Sequence, residues 1–209
     1  MGDSVHVWMA PAGAEPRTAA HNLLLLLAGT LIPAPALHHD ADGRPHIPGL
    51  AVSISHTHHL IAVAASYDGP LGVDVEEVHP REVRGLADRW FDPAELEWMA
   101  AQPDELTAFL HLWTAKEAVG KALGQGLRNS GLRRAMPLPS SPAESQALRA
   151  ALVPDHAGLA VLHVPVELGV VAVALSPGVG EVVLSLHHEA ALRRVGRSRT
   201  SFPVVVRGN

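Results

Sequence analysis

The chain has no cysteine, so disulfides, thiolate nucleophiles and thiolate-bound zinc are excluded from its fold and its chemistry. Aromatic residues are scarce, 4% against 47% apolar residues in all, so a core must be built mainly from aliphatic side chains and alanine. No long hydrophobic run occurs. Leu23 to Leu27 is far too short to cross a bilayer, and the start, Met1-Gly-Asp-Ser-Val-His-Val-Trp8, lacks the basic-then-apolar layout of a signal peptide. The expectation is a cytoplasmic protein that does not use a membrane. Positive charge is also in short supply: 16 Lys+Arg against 21 Asp+Glu give a net charge of −5. That excess excludes a general nucleic-acid binder and makes any anion site a local one. Lysine is the rarest cation of all. Only Lys116 and Lys121 occur, in Trp113-Thr-Ala-Lys-Glu-Ala-Val-Gly-Lys121, and every other cation is arginine. An ammonium is a compact, movable point charge and guanidinium a rigid fork, so the segment is expected to need an ammonium.

What is present predicts an α+β chain. Val5 to Trp8, Ala51 to Ile54, Leu60 to Ser66 and Leu71 to Glu76 read as strands, as do Leu159 to Val166 and Gly169 to Ser176. Thr18 to Leu31, Arg81 to Trp90 and Asp104 to Leu123 read as helices. Asp92-Pro-Ala-Glu95 has an Asp N-cap, Pro at the first helical position and Glu at the capping-box position. Gln125 to Ala143 reads as a loop, and Arg193, Arg194, Arg197 and Arg199 as a solvated tail. Leu60-Ile-Ala-Val-Ala-Ala-Ser66 aligns with Val170-Val-Ala-Val-Ala-Leu-Ser176. Such an internal repeat predicts two pseudo-symmetric halves, residues 1–102 and 103–209, each a small antiparallel sheet packed with a long helix, with a cleft between.

Asp74 and Glu76 are two apart on a predicted strand, so both carboxylates face one side. Oxygen-only donors of this kind suit Mg²⁺; a wet, acidic strand face is the plainer alternative. Glu117 and Lys121 are one helical turn apart, which serves phosphate or metal chemistry or a routine helix salt bridge. Ser55-His-Thr57 sits between two strands, where it can present side chains to a cleft. His38, His39 and Asp40, like His56, His58 and His59, read as surface residues rather than zinc ligands.

Taken together, Gly72-Val-Asp-Val-Glu76 followed by Trp113-Thr-Ala-Lys-Glu-Ala-Val-Gly-Lys121 resembles the paired signatures of the 4′-phosphopantetheinyl transferases. Ser55-His-Thr57 is similar to the Ser-His-Ser element of the Sfp-type members, Gly43-Arg-Pro45 to their Gly-Lys-Pro turn, and Gly124-Gln-Gly-Leu127 to their Gly-x-Gly-Leu. Phe91-Asp-Pro-Ala-Glu95 matches the linking segment. The resemblance implies two pseudo-symmetric α+β halves, CoA in the cleft, and Mg²⁺ (or Mn²⁺) held by Asp74, Glu76 and Glu117. It implies Glu117 as the acceptor of a serine proton, directly or through water, and Lys121 acting on the departing phosphate. Lys116 would bind a CoA phosphate; Arg17, Arg44, Ser55 and His56 would hold the 3′-phosphate and adenine end, with Gly43 and Pro45 shaping the adenine wall. The implied partners are CoA and an apo acyl or peptidyl carrier protein, met by Arg128, Arg133 and Arg134, and the implied state is a monomer. The N-terminal region departs from the Sfp pattern in having few basic residues. A Mg²⁺-dependent phosphohydrolase and a non-catalytic CoA- or carrier-binding module are the alternatives.

Overall fold

The computed structural model describes residues 4–126, 131–138, 147–167, 169–187 and 197–207. In chain order the elements are β1 (Ser4–Pro11), α1 (Pro16–Gly29), β2 (His38–His39), β3 (Pro45–His46), β4 (Ala51–His56), β5 (Leu60–Ser66) and β6 (Gly72–Glu76). These are followed by α2 (Arg84–Trp90), α3 (Pro93–Ala100), α4 (Glu105–Ala122), β7 (Leu148–Val153), β8 (His156–Val164), β9 (Val170–Leu175), β10 (Glu181–His187) and β11 (Arg197–Arg207). No helix among the described residues is long and apolar enough to cross a membrane.

The expected mixture of helices and strands is present, but apart from the small β2-β3 pair the strands form one curled, mixed sheet of 9 strands, ordered β4-β5-β1-β10-β11-β7-β8-β9-β6. The join is β11. Its first part pairs antiparallel with β10, and its second part, Val204 to Arg207, pairs parallel with β7. A second parallel pair, β1 with β10, ties the start of the chain to its C-terminal part. The acidic strand β6 is likewise paired with β9, far along the sequence.

The alanine- and valine-rich strands are explained by burial on both faces. Along β5, Leu60, Ala62 and Ala64 enter the core inside the curl, while Ile61, Val63 and Ala65 meet Leu23, Leu24 and Leu27 of α1. Along β9, Val171, Val173 and Leu175 face the inner core; Val170, Ala172 and Ala174 face α4. Small side chains let a helix lie close on such a strand. The closest approach is at Gly72, where a Cβ would collide with the Ala118 carbonyl of α4.

Helix ends follow the local chemistry. Asp92 and Glu95 make both capping-box bonds at α3, and Asp104 caps α4 by accepting from Leu106 and Thr107 backbone N–H. Gly124, just past α4, adopts a left-handed φ of 67°. Three expectations are corrected. α2 begins at Arg84 rather than Arg81. Strands β7 and β10 were not anticipated. Arg199 is in strand β11 rather than a solvated tail, because Phe202, Val204 and Val206 alternate inward against the core. The backbone of Arg197 is also in β11; Arg193 and Arg194, like Leu127 and Arg128, lie outside the described residues.

Candidate functional site

Asp74 is the pivot. Val73 and Val75 point into the inner core, so the pleat turns Asp74 and Glu76 the other way, towards α4. Because Gly72 has no side chain, α4 settles against β6, and Lys121 reaches across: its Nζ donates to Asp74 Oδ1 at 2.8 Å and to the Val73 carbonyl at 3.0 Å. On the other side β4 and the residue just after it offer a row of hydroxyls at every second position. Ser53 Oγ accepts from Val73 N–H at 3.0 Å, Ser55 Oγ donates to Asp74 Oδ1 at 2.7 Å, and Thr57 Oγ1 donates to Glu77. These side-chain bonds, rather than a backbone ladder, fasten β4 to β6.

Asp74 is only 5% exposed, and its second oxygen, Oδ2, is buried without a hydrogen-bond partner. A buried carboxylate oxygen left open is costly unless a cation or substrate group completes it. Glu76 Oε2 accepts from Arg81 at 2.9 Å. Glu117, half-buried on α4, is pushed up to about 7 by loss of water and then by the neighbouring Asp74 and Glu76 charges, against the opposing pull of Lys121. The carboxyl therefore titrates near neutrality, which suits a group that must take up a proton.

These side chains line one cavity of about 460 Å³. Asp74, Glu76, Glu117 and Lys121 line it together with Arg17, Ser55, His56, Gly43 and Pro45. Two further residues there, His21 and His39, were missed from the sequence. Their rings lie 4.8 Å apart. The signal for His21 was available, since it follows Arg17 by one helical turn on α1; His39 comes from a two-residue strand that no periodicity marks. The His21 pKa is lowered by burial and then by His39, Arg17 and His56.

Lys116 departs from its expected place, and two other residues take partners that the spacing does not show. Lys121 pairs with Asp74, and no ion pair joins it to Glu117 among the described residues. Arg44 is outside this cavity. It lies along a neighbouring one of about 550 Å³, paired with Asp40 and Asp42 and packed against Gly124. Lys116 is not at the cavity either. It is 0% exposed, with Nζ donating to Glu95 Oε1 and Oε2 at 2.7 and 2.8 Å and to the Arg134 carbonyl at 2.6 Å. Glu95 also accepts from the Met136 and Asp92 N–H groups. All three ammonium protons are used, so Lys116 has none left for a phosphate. Its neighbour Glu117 faces the cleft because adjacent helical positions diverge by about 100°.

The donor set fits a hard divalent cation in kind: three carboxylates, one with an open buried oxygen. Among the described residues, however, no group of three or more such side chains stands close enough together to hold a metal. Arg81 and Lys121 occupy two of the carboxylates, so a metal competes with them.

Residues 70–168 match the family model described as the 4′-phosphopantetheinyl transferase superfamily. The chain is 34% identical over 123 residues to the 4′-phosphopantetheinyl transferase HetI of Nostoc sp., covering 56% of this chain and 52% of that one. It is 38% identical over 90 residues to a 4′-phosphopantetheinyl transferase of Bacillus subtilis, 41% and 39% covered. It is also 37% identical over 106 residues to the 4′-phosphopantetheinyl transferase AcpT of Escherichia coli, 47% and 54% covered. The chain thus spans about half the length of such relatives or less. The superfamily resemblance read from the motifs is borne out.

Proposed function

We propose that the chain is a 4′-phosphopantetheinyl transferase, which moves phosphopantetheine from CoA to a serine of an apo acyl or peptidyl carrier protein and releases 3′,5′-ADP. The observation that carries this reading is that Glu117, Lys121 and Asp74, with its open carboxylate oxygen, line the same cavity as Arg17 and His56. A carboxyl, an ammonium and a guanidinium around one cavity suit a ligand that carries several phosphates.

In the proposed reaction the serine Oγ attacks the phosphorus that bears pantetheine. The new bond is Oγ–P, and the bond that breaks joins that phosphorus to the oxygen leaving with 3′,5′-ADP. Glu117 accepts the serine proton, directly or through a water. Lys121, paired with Asp74 in the resting site, offers its ammonium to the departing phosphate. Ser55 holds Asp74 in place, so its contribution to substrate is indirect. Arg17, His21, His39 and His56 bind the anionic far end, with Gly43 and Pro45 as wall.

Asp74, Glu76 and Glu117 would hold Mg²⁺ or Mn²⁺ only after drawing closer together and releasing Lys121 and Arg81; when bound, the ion would neutralise charge on the phosphoryl oxygens. Holo-acyl-carrier-protein synthesis, residence in the cytoplasm, a monomeric state and the division at residues 102 and 103 into two halves around the cleft belong to the same proposal.

The test is mass spectrometry of apo fatty-acid, polyketide and peptide carriers after incubation with the protein, CoA and Mg²⁺. A phosphopantetheine adduct on at least one carrier, lost in Asp74→Ala with the fold retained, is the expected result. Absence of any adduct with the wild-type protein refutes the proposal, and release of inorganic phosphate without a carrier supports a hydrolase instead.

A further inference from the structure

Four cationic or protonatable side chains line the cavity, and none has an ion pair among the described residues. Arg17 and His21 come from α1, His39 from β2 and His56 from the end of β4. Arg17 and His21 are one helical turn apart and share a face. His39 stands opposite Pro45 in the β2-β3 pair. Its ring meets that of His21 at 4.8 Å and 47°. His21 is half-buried; Arg17, His39 and His56 are exposed.

In a chain of net charge −5, gathering such groups without carboxylates to balance them is a local exception. His21 shows the cost. Burial lowers its pKa, and then His39, Arg17 and His56 lower it further. A proton on either ring disfavours one on the other. A phosphate dianion reverses these terms, since it favours the charged form of every group around it. Ring contacts also join His58 to His59 and His111 to His163, but neither of those pairs lines this cavity. The other charged groups lining it are Asp74, Glu76, Glu117 and Lys121.

We propose that His21 and His39 are a proton-linked clamp on a phosphomonoester of the substrate, so that selection for ligands carrying that phosphate is strong in mildly acid solution and fades above neutrality. The assignment rests on the transferase reading above, in which the ligand is CoA and the phosphomonoester its 3′-phosphate. Lysines here would hold a phosphate at every physiological pH; histidines make the grip conditional. The proton comes from solvent. The dianion draws it onto the rings as the ligand enters, so binding consumes protons and weakens as they become scarce. The second ionisation of the phosphomonoester itself, at about 6, sets the lower edge of the window.

Calorimetry with Mg²⁺ and no carrier, so that nothing is transferred, reads Kd for CoA and for 3′-dephospho-CoA between pH 6.5 and pH 8.5. The ratio of the two constants isolates the phosphomonoester, because the ionisation of Glu117 near 7 acts on the pyrophosphate that both ligands share. In wild type the preference for CoA should fall about tenfold across that range, and CoA should take up more protons from the buffer than 3′-dephospho-CoA. His21→Gln/His39→Gln, confirmed folded by circular dichroism, should lower the preference at pH 6.5 and flatten its fall, leaving what Arg17 and His56 supply. His21→Lys/His39→Lys should keep the preference at pH 8.5. A wild-type preference that is constant with pH overturns the clamp. So does an equal fall in the Gln variant, which is the result that packing alone would give. If wild type binds neither ligand, the transferase reading fails by itself. Proton NMR of the wild-type histidines then judges the clamp, as it does if the variants do not fold. Added inorganic phosphate should raise the titration midpoint of His21, and an unmoved midpoint refutes the proposal.

Discussion

Replacing Glu117 by Gln should change stability in a way that depends on pH. In the folded chain the carboxyl is raised from 4.5 to about 7, chiefly by burial. A group whose folded pKa is the higher one favours the folded state while protonated. That contribution is whole below about 4.5 and disappears as pH rises through about 7. At about 1.36 kcal/mol per pH unit the interval sets a ceiling of about 3 kcal/mol. Solvent entering the partly open cleft screens this to roughly 1–2 kcal/mol. Wild type should therefore lose about 1–2 kcal/mol between pH 5 and pH 8 relative to Glu117→Gln, which has no proton to lose but keeps the shape. In thermal unfolding the difference is a few degrees for a chain of this size, at about 2–4 °C per kcal/mol. Urea titrations of both proteins at pH 5, 6, 7 and 8 read it directly, and groups such as His21 and His163 cancel in the comparison. Adding Mg²⁺ at pH 8 should shrink the gap, because a cation favours the ionised carboxylate. Stability curves that run parallel from pH 5 to pH 8 would refute the assignment of a near-neutral, desolvated Glu117.

Two more perturbations probe how the site is supported. Lys116→Met should destabilise the protein by about 3–5 kcal/mol, because Glu95 is left charged and buried, whereas Lys116→Met/Glu95→Leu should recover most of that. CoA affinity of the refolded double variant, measured by calorimetry, should be close to wild type; a large loss would return Lys116 to the phosphate site. Gly72→Ala should cost about 3 kcal/mol by driving α4 away from β6 and should lower transfer well beyond the loss of folded protein, because Lys121 no longer reaches Asp74. Normal turnover per folded molecule would show that the close helix–strand approach is irrelevant to the site.

The legible parts of the fold were those with strong local chemistry. Asp92 and Asp104 announce their helices through side-chain oxygens that find N–H groups within the next turn, and Gly124 marks a stop that needs positive φ. β5 and β9 are dense apolar runs because each is covered on both faces. β11 was hidden because its exposed side carries Arg199, which reads as tail, and its inward side is only half-buried. Its long-range pairing with both β10 and β7 has no local cue. For the same reason two separate small sheets were expected where one continuous curled sheet occurs.

Sequence by itself determined which residue types meet the chemistry: Asp74 and Glu76 alternate to one side of a strand, and Glu117 and Lys121 share a helix face, since both periods are properties of the backbone. It also carried the ordered motifs by which the superfamily is recognised. Only the tertiary structure decided how the members pair. Lys121 takes Asp74 rather than Glu117 because Gly72 lets α4 press against β6. Lys116, one position before Glu117, turns into the protein because Glu95 and the Arg134 carbonyl satisfy its three protons there. Two lysines five positions apart look equivalent in a linear chain; burial, which no local spacing encodes, makes one of them an internal tie and leaves the other at the cleft.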